Sequence, residues 1–390
     1  MKTWNEIKKY FVNFRGLGII GGASGITNAI GAIFWFLMAS LLGTENYGEI
    51  SYLIAIGVIA SRISLVGATN SLLVFIPKGI NIQIPIYIIS ITSSILTSII
   101  VFFVFLNNPS VSLYIVGFVI FTLITSEALG RKSYSGYAKY IISQKLLLVS
   151  LSTSLFFIIG FEGVIYGIAL SFFPYVIKII TDVRNKEIDF SVLKSKKGFI
   201  MNNYLLDLTN AFNGSLDKII IAPLLGFALL GNYQLGVQFI SILAIIPAMV
   251  FQYTLPMDAS GNSNKILKKL LIIYSVVITI ITILLAPIIV PILFPDFSEA
   301  IEIIQIISIS VIPSTITITL ISKYLGNAQS KIVLIGSGIY LGVQIPSILV
   351  LGNQFGVNGA AVAIILGHSV QAIYFLIIDN FSKNNRVKNV

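Results

Sequence analysis

The chain has 390 residues, of which 56% are hydrophobic and only 10% are charged, and its formal net charge is +10. Because so few charged residues leave too little polar surface to cover a water-soluble particle, the composition excludes a soluble protein and indicates a membrane protein. Cysteine is absent and there is a single histidine. This excludes disulfides, thiolate chemistry and Cys-rich or His-rich metal sites, and we expect neither a metal nor a cofactor.

About twelve apolar runs are long enough to cross a membrane, because a helix needs about 20 residues to span the hydrocarbon core. In chain order, the predicted spans cover 17–42, 47–77, 83–106, 111–130, 140–160, 163–182, 199–223, 229–255, 266–293, 299–323, 331–352 and 357–379. Basic residues precede the first run, and no small-residue cleavage site follows a short hydrophobic region. We therefore interpret the first run as a retained helix rather than a signal peptide.

The distribution of basic residues predicts the orientation. When the spans cross alternately from an inner N-terminus, every Lys and Arg except Arg62 and Lys218 falls on one side. Because cytoplasmic loops keep an excess of Lys and Arg, we expect a multi-pass protein of the cell membrane with both termini and the 183–198 loop in the cytoplasm. The outer loops carry acidic residues instead: Glu45, Glu162, Asp296 and Glu299. Basic residues divided among loops indicate contact with anionic lipid headgroups and not with nucleic acid.

The central loop separates two sets of six spans that have weak internal similarity. The pairs of similar segments are 41–48 with 224–233, 160–163 with 355–359, and 129–130 with 325–326. Six spans per repeat predict two parallel lobes, 1–190 and 191–390, of a transporter that binds substrate between its lobes. The alternative is that Gly and Tyr simply recur at membrane interfaces.

Several of these segments resemble the Wzx-type polysaccharide and oligosaccharide flippases of the MOP superfamily, which also contains the MATE drug exporters and the lipid II flippases. They are Leu-Leu-Gly-Thr-Glu-Asn-Tyr-Gly at 41–48, Leu-Asp-Lys-Ile-Ile-Ile at 216–221 continuing to 225–226 and 231–233, Gly-Asn-Ala-Gln-Ser-Lys at 326–331, and 356–361. The resemblance covers nearly the whole chain. It implies an all-α fold of two six-helix lobes around a central cavity that opens alternately to either side. It also implies a substrate made of a polyprenyl lipid, a phosphate or pyrophosphate, and a sugar chain.

Arg62 is the most informative polar residue within the predicted spans. It lies halfway along the second span, about 22 Å from either end, which is too far for its side chain to reach the headgroups. A charge at this depth costs about 2.5 to 3.5 kcal/mol and normally faces a bundle interior or a wet cavity. The helical face that it shares is small and polar: Gly48, Ser51, Ala55 and Thr69. We interpret Arg62 as a cavity residue that binds the substrate phosphate, with a structural ion pair as the alternative.

The seventh span carries a polar stripe with residues spaced four and three apart, so that they share one helical face. The stripe consists of Asn203, Asp207, Asn210, Gly214 and Asp217, with Lys218 beside its outer end. Asp207, or else Asp217, is a candidate to take up a proton or sodium ion or to balance the charge of Arg62. The alternative is a set of interhelical hydrogen bonds worth roughly 0.6 kcal/mol each. Asp217 and Lys218 match an acidic–basic pair of the resembled family, for which a structural role is also open.

Further polar residues are weaker candidates. Gln234 and Gln238 share a face of the eighth span and are candidates to contact sugar hydroxyls, although hydrogen bonding between helices explains them equally well. His368 in the twelfth span is a candidate proton relay because imidazole titrates near neutrality, and a hydrogen-bonded core histidine is the alternative. Arg131 and Lys132 end the fourth span, where they either attract an anionic headgroup at a cytoplasmic entrance or simply follow the charge bias of inner loops.

The predicted function is not enzymatic. The chain has no Walker lysine motif for ATP, and it has no large outer loop with Arg and His such as a membrane glycan polymerase would use. We expect a flippase for lipid-linked oligosaccharides in polysaccharide or glycoprotein glycan assembly. Its expected partners are that substrate, membrane lipids, a coupling proton or sodium ion, and glycan assembly enzymes.

Two other classes of protein compete with the flippase. A cation-coupled MATE-type exporter is the main alternative, but the first span holds Ser24, Thr27 and Asn28 and no carboxylate, whereas such exporters usually place an acidic cation site there. A membrane scaffold without transport would leave Arg62 unexplained.

Overall fold

The computed structural model describes residues 4–103, 108–183, 189–259, 264–327 and 329–388. Every regular element in these ranges is helical, which confirms the all-α fold class. Some sequence predictions lie outside the described residues: Lys2, Arg184 and Lys186 among the basic residues, and 184–188 of the central loop.

The α-helices of the described residues follow one another with short connections. They are α1 Trp4–Leu65, α2 Ala68–Phe75, α3 Gln83–Val101, α4 Pro109–Gly130, α5 Tyr134–Ile159, α6 Glu162–Leu170, α7 Val176–Val183, α8 Ser191–Leu225, α9 Phe227–Leu243, α10 Ile245–Ala259, α11 Lys265–Leu293, α12 Ala300–Ser308, α13 Val311–Gly326 and α14 Ser330–Lys388. Short 3₁₀ turns occupy Ile76–Lys78 and Phe173–Tyr175.

The helices account for about twelve membrane crossings. Eight runs of the described residues are long and apolar enough to cross, and a bent pair made of α9 and α10 is a ninth. Two of the eight, Gly18–Leu65 and Ser330–Phe381, have 48 and 52 residues, which is enough for two crossings each at about 20 residues per crossing. Each of these two is divided by a glycine with non-helical backbone angles, Gly43 or Gly356. The 35-residue α8 is also long enough to cross, and its polar stripe lowers its hydropathy.

The first compact unit, called unit one here, consists of Met1–Gly31 and Leu53–Ala211. In it α4 packs against α2, α3 and α6, and α6 packs against α5. Its core is a fully buried apolar cluster that includes Leu65, Leu72 and Leu123. Unit one therefore contains Arg62 together with the first half of α8.

The second compact unit, unit two, consists of Ala32–Tyr52 and Phe212–Val390. In it α12 packs against α9, α11 and α14, while α13 packs against α10, α11 and α14. Buried residues of α8, α9, α12 and α14 form its core. The contacts group 32–52 with the C-terminal helices, and the lobes 1–190 and 191–390 stay a prediction.

The similarity between the helical hairpins at 41–48 and 224–233 has a counterpart in the backbone of unit two. Each hairpin turns at a glycine with positive φ. A Cβ added at Gly48 would lie 1.9 Å from the carbonyl oxygen of Phe227, the residue after one turn glycine. A Cβ added at Gly231 would lie 1.9 Å from the carbonyl oxygen of Thr44, the residue after the other. The two hairpins thus make the same contact on each other, as expected for segments related by a local two-fold axis.

The second predicted span is wrong as one continuous helix. It breaks between α1 and α2, where Val66 and Gly67 have φ values of 48° and 72°. A Cβ at Gly67 would lie 2.4 Å from the carbonyl oxygen of Ile200 in α8, so this position requires glycine both for its backbone angles and for space. The hydroxyl of Ser90 donates a 3.1 Å hydrogen bond to the carbonyl of Leu65, which is freed by the break.

Candidate functional site

Arg62 lies on α1 in unit one, one turn before the helix break. Its side chain is half-buried, and its guanidinium carbon lies 5.4 Å from the ring centre of Phe118 on α4. Phe118 in turn stacks on Tyr114, with ring centres 5.7 Å apart. Such a cation–π contact is worth about 2 kcal/mol when desolvated, so it orients the guanidinium while leaving its N–H groups to bind elsewhere.

The surroundings of Arg62 correct one part of the sequence prediction and argue against the alternative of an ion pair. Because the helix breaks after Leu65, Arg62 does not share a continuous helical face with Thr69, and that part of the prediction is wrong. The alternative was an ion pair, but within the described ranges no carboxylate oxygen lies within the 4.0 Å limit of a salt bridge to Arg62. Asp207 lies near Arg62 but beyond that limit.

Asp207 on α8 is the buried carboxylate of this cluster, with 8% of its surface exposed. The hydroxyl of Thr69 lies beside it, but neither that hydroxyl nor Oδ2 of Asp207 makes a well-aligned hydrogen bond with any described residue. A buried carboxylate oxygen without a partner is costly unless something binds it. Asp207 can therefore balance the charge of Arg62, and its open oxygen can accept a proton or a cation.

Among the described residues, no hydrogen bond connects the other polar residues of the first half of α8 to Arg62 or Asp207. Asn203 is half-buried, and its amide donates a 2.8 Å hydrogen bond to the Phe199 carbonyl of its own helix. Asn210 is exposed. Both stay candidate cavity residues on the sequence prediction alone.

Asp217 and Lys218 lie in unit two and are both buried. The Asp217 carboxylate accepts hydrogen bonds from the Lys218 backbone N–H at 2.9 Å and from the Tyr233 hydroxyl at 2.7 Å. The Lys218 ammonium lies 3.3 Å from the same carboxylate and donates to the Gly214 carbonyl at 3.0 Å. This carboxylate is saturated with donors, which favours the structural role that the sequence left open.

His368 lies on α14 with its ring centre 4.6 Å from that of Tyr340, and the Gln371 side chain is beside it. Its Nδ1 atom has no hydrogen-bond partner among the described residues. On α9, Gln238 is buried and Gln234 is half-buried, with an amide oxygen that likewise lacks a partner in the described ranges. No contact among the described residues of unit two brings these groups together.

Arg131, one of the two residues predicted to form a cytoplasmic entrance, makes hydrogen bonds within the protein. Arg131 donates from Nε to Glu127 at 2.5 Å and from a terminal nitrogen to Gln83 at 2.9 Å. Tyr87 donates to the other carboxylate oxygen of the buried Glu127 at 2.5 Å. Lys132 is exposed in the turn that follows α4. Arg131 thus ties α3 to α4, and Lys132 projects into solvent.

Sequence reasoning missed the aromatic residues around the charged groups. Tyr114 and Phe118 are four residues apart on α4, so their spacing alone was the signal for a shared helical face. Tyr233 lies in the repeated segment 224–233, and nothing in the local sequence distinguishes Tyr340. In the described ranges no group of three or more His, Cys, Asp or Glu side chains is placed to hold a metal ion.

Several solved structures have the fold of this chain, at low sequence identity. A lipid II flippase, MurJ, in an inward closed conformation is 14% identical with a TM-score of 0.67, covering 92% of this chain and 86% of its own. A multidrug resistance MATE family transporter in an inward-facing conformation is 16% identical with a TM-score of 0.63, covering 93% and 96%. A MOP superfamily transporter from Pyrococcus furiosus is 13% identical with a TM-score of 0.63, covering 94% and 95%.

By sequence, no protein-family model matches the chain, and no curated protein matches it. The structural likeness therefore defines the class at the level of fold: this is a multi-pass helical membrane protein with the fold of the MOP superfamily.

Proposed function

We propose that the protein is a transporter that turns a polyprenyl-phosphate-linked or polyprenyl-pyrophosphate-linked oligosaccharide from the cytoplasmic to the outer leaflet by alternating access. Arg62 carries this proposal. It is a permanent cation inside a membrane-spanning unit, oriented by Phe118 and without a carboxylate at salt-bridge distance in the described ranges. A guanidinium binds phosphate oxygens in a fork, and the phosphate is the part of such a lipid that most needs a partner inside the membrane.

The likeness of fold supports a transporter, and the named substrate of one neighbour supports the class of cargo. That neighbour is a lipid II flippase, so the same fold carries a lipid-linked substrate in another protein. The resemblance of 41–48, 216–221 and 326–331 to Wzx-type flippases favours an oligosaccharide as the sugar part. Enzymes of polysaccharide or glycoprotein glycan assembly would supply and consume this substrate.

Asp207 is the residue that we assign to energy coupling. Its carboxylate is buried in unit one near Arg62, with the Thr69 hydroxyl beside it. A proton or sodium ion bound there would change the charge that Arg62 experiences, so substrate and ion would influence one another. The chain has no Walker lysine motif, which makes an ion gradient the preferred energy source.

A cation-coupled multidrug exporter is the second candidate function, favoured by the likeness to MATE transporters and by the buried Asp207. The first span argues against it. Thr27 donates its hydroxyl to the Ala23 carbonyl of its own helix, and no carboxylate lies among the residues of that span. A positively charged Arg62 would also repel a cationic drug.

The two functions can be separated in vesicles that contain the purified protein. We expect a fluorescent polyprenyl-pyrophosphate-linked oligosaccharide to flip faster than it does in vesicles without the protein. We expect no uptake of a cationic dye when a proton or sodium gradient is imposed to drive it. Arg62→Ala should slow the flipping at least tenfold. Dye uptake by the wild type, with no flipping of the lipid-linked sugar, would favour the exporter and contradict the flippase.

A further inference from the structure

A groove of about 270 Å³ opens in unit one beside the helix break between α1 and α2. Val66 forms one end of it. Ile86, Ile89 and Ser90 of α3 form one wall, and a face of α8 between Leu193 and Met201 forms the other. The groove therefore lies between the α1–α2 break, the first turns of α3 and the first turns of α8.

The walls of the groove are apolar. Its one hydroxyl, that of Ser90, already donates a hydrogen bond to the Leu65 carbonyl. A sugar needs several hydrogen-bond partners, which these walls do not offer. The volume is also slightly below the about 300 to 1,000 Å³ of pockets for drug-sized ligands. Both properties suit a single hydrocarbon chain better than an oligosaccharide.

Two lysines stand at the rim of the groove. Lys194 and Lys197 both line it, and because they are three residues apart on α8 they lie on one helical face. Both are exposed. Lys196 lies between them in sequence but is directed elsewhere, with its ammonium 5.9 Å from the ring centre of Phe75. The groove thus combines an apolar interior with two positive charges at its mouth.

We propose that this groove binds an anionic phospholipid of the cytoplasmic leaflet, with one acyl chain along Ile89 and Met201 and the headgroup phosphate between Lys194 and Lys197. Basic pockets between membrane helices on the cytoplasmic side bind anionic headgroups through this combination of charge and apolar surface. Ile89 and Met201 are 38% and 46% exposed, so an acyl chain would cover apolar surface that the protein leaves open. The site is separate from the substrate site assigned to Arg62 and does not depend on the proposed transport.

A lipid in the groove would connect α3 to α8 next to the break at Val66. Any ligand that binds the folded protein and not the unfolded chain stabilises the fold by mass action. We therefore expect an anionic phospholipid to raise the melting temperature of the protein, and a zwitterionic one to do so much less.

The test is a titration of the purified full-length protein in detergent with phosphatidylglycerol, followed by native mass spectrometry. Near a membrane surface each lysine contributes about 1 kcal/mol, so Lys194→Ala with Lys197→Ala should weaken the tightest lipid-binding event about 30-fold. Met201→Trp should weaken it as well, because it fills the groove while keeping both charges. The matched comparison is between single replacements: Lys197→Ala should weaken binding about fivefold, whereas Lys196→Ala, which removes one charge on another face, should change the affinity less than threefold.

Three results would overturn the proposal. One is an equal loss of affinity in Lys196→Ala and Lys197→Ala, which would mean that only net charge matters. Another is phosphatidylcholine binding as tightly as phosphatidylglycerol. The third is displacement of phosphatidylglycerol by a polyprenyl phosphate at a tenfold lower concentration, which would assign the groove to the lipid carrier of the substrate. Lys194, Lys197 and Met201 are exposed and Lys196 is half-buried, so the melting temperature of each variant without lipid is measured as well, and an unchanged value excludes loss of the fold as the reason for weaker binding.

Discussion

Two carboxylates of α8, Asp207 and Asp217, have the same chemistry but different surroundings. Asp217 has donors on both oxygens, from Tyr233 on one side and from Lys218 on the other. Asp207 is as deeply buried but has an oxygen without a partner among the described residues. A saturated buried carboxylate holds structure together, whereas an open one can exchange a ligand. The two residues should therefore respond differently to the same substitution.

Asp217→Asn should destabilise the protein. It would leave the buried Lys218 ammonium without its counter-charge, and breaking a buried pair in this way costs about 3 to 5 kcal/mol. The melting temperature in detergent should fall clearly below that of the wild type. An unchanged melting temperature would show that the Asp217–Lys218 pair contributes nothing to stability.

Asp207→Asn should leave stability within about 1 kcal/mol of the wild type, because the amide oxygen of Asn can still accept a hydrogen bond from the neighbouring Thr69 hydroxyl. It should instead abolish the effect of an ion gradient on transport. The measurement is flipping in vesicles with and without proton and sodium gradients. If the wild type ignores both gradients and Asp207→Asn transports like it, Asp207 has no coupling role and the polar stripe is structural.

At the level of helices, some interruptions of the membrane spans can be predicted from the sequence and others cannot. Proline removes a backbone donor and clashes with the preceding turn, so an interruption is expected near each proline of a span, but α11 runs through Pro287 and Pro291 without ending. A 3₁₀ turn contains Pro174, and α13 begins just before Pro313. The break at Val66 gave no such signal, because valine rarely adopts a positive φ. Contacts distant in sequence, from Ile200 and Ser90, hold that break in place.

The candidate site was predictable to a similar degree. Charged residues in apolar spans stand out in any sequence, so Arg62 and Asp207 could be selected from their positions alone. Their electrostatic coupling and the support of Arg62 by Phe118 required the fold, because α1, α4 and α8 are far apart in the chain. Phe118 is one of 26 phenylalanines, and nothing in its local sequence distinguishes it.

The reciprocal glycine contacts between the two hairpins of unit two should be essential for packing. In Gly48→Ala the new methyl carbon would lie 1.9 Å from the Phe227 carbonyl oxygen, so backbone must move, at a cost of about 1 to 3 kcal/mol. Gly25→Ala is the matched control in α1, since a Cβ there meets nothing within 4 Å. We expect a lower melting temperature for the first variant only. Equal melting temperatures would contradict the close approach of the hairpins.

At the level of the whole molecule, the orientation in the membrane follows from the charge distribution and can be tested directly. The chain has no cysteine, so single cysteines can be introduced at the exposed Ser195 and Ser298. A membrane-impermeant maleimide should label Ser298→Cys in intact cells, and Ser195→Cys only after permeabilisation. The opposite pattern would reverse the proposed topology and place Lys194 and Lys197 on the outer side.

The central claim is that Arg62 binds the phosphate of a lipid-linked sugar during its passage. The most direct test compares the flipping of two labelled substrates with the same lipid and sugar, one joined by a phosphate and the other by a neutral linkage. A hydrogen bond to a charged group is worth about 1.5 to 3 kcal/mol, so Arg62→Ala should slow the phosphate-linked substrate at least tenfold. The neutral substrate should be slow in both proteins, and Arg62→Lys should restore the rate only in part.

Lys78→Ala is the matched control for this comparison, because Lys78 also lies over an aromatic ring, that of Phe75, but outside the site. It should flip the phosphate-linked substrate at the wild-type rate. We expect the wild type to flip the phosphate-linked substrate faster than the neutral one, and we expect this preference to disappear in Arg62→Ala. A wild-type preference that persists in Arg62→Ala would contradict it.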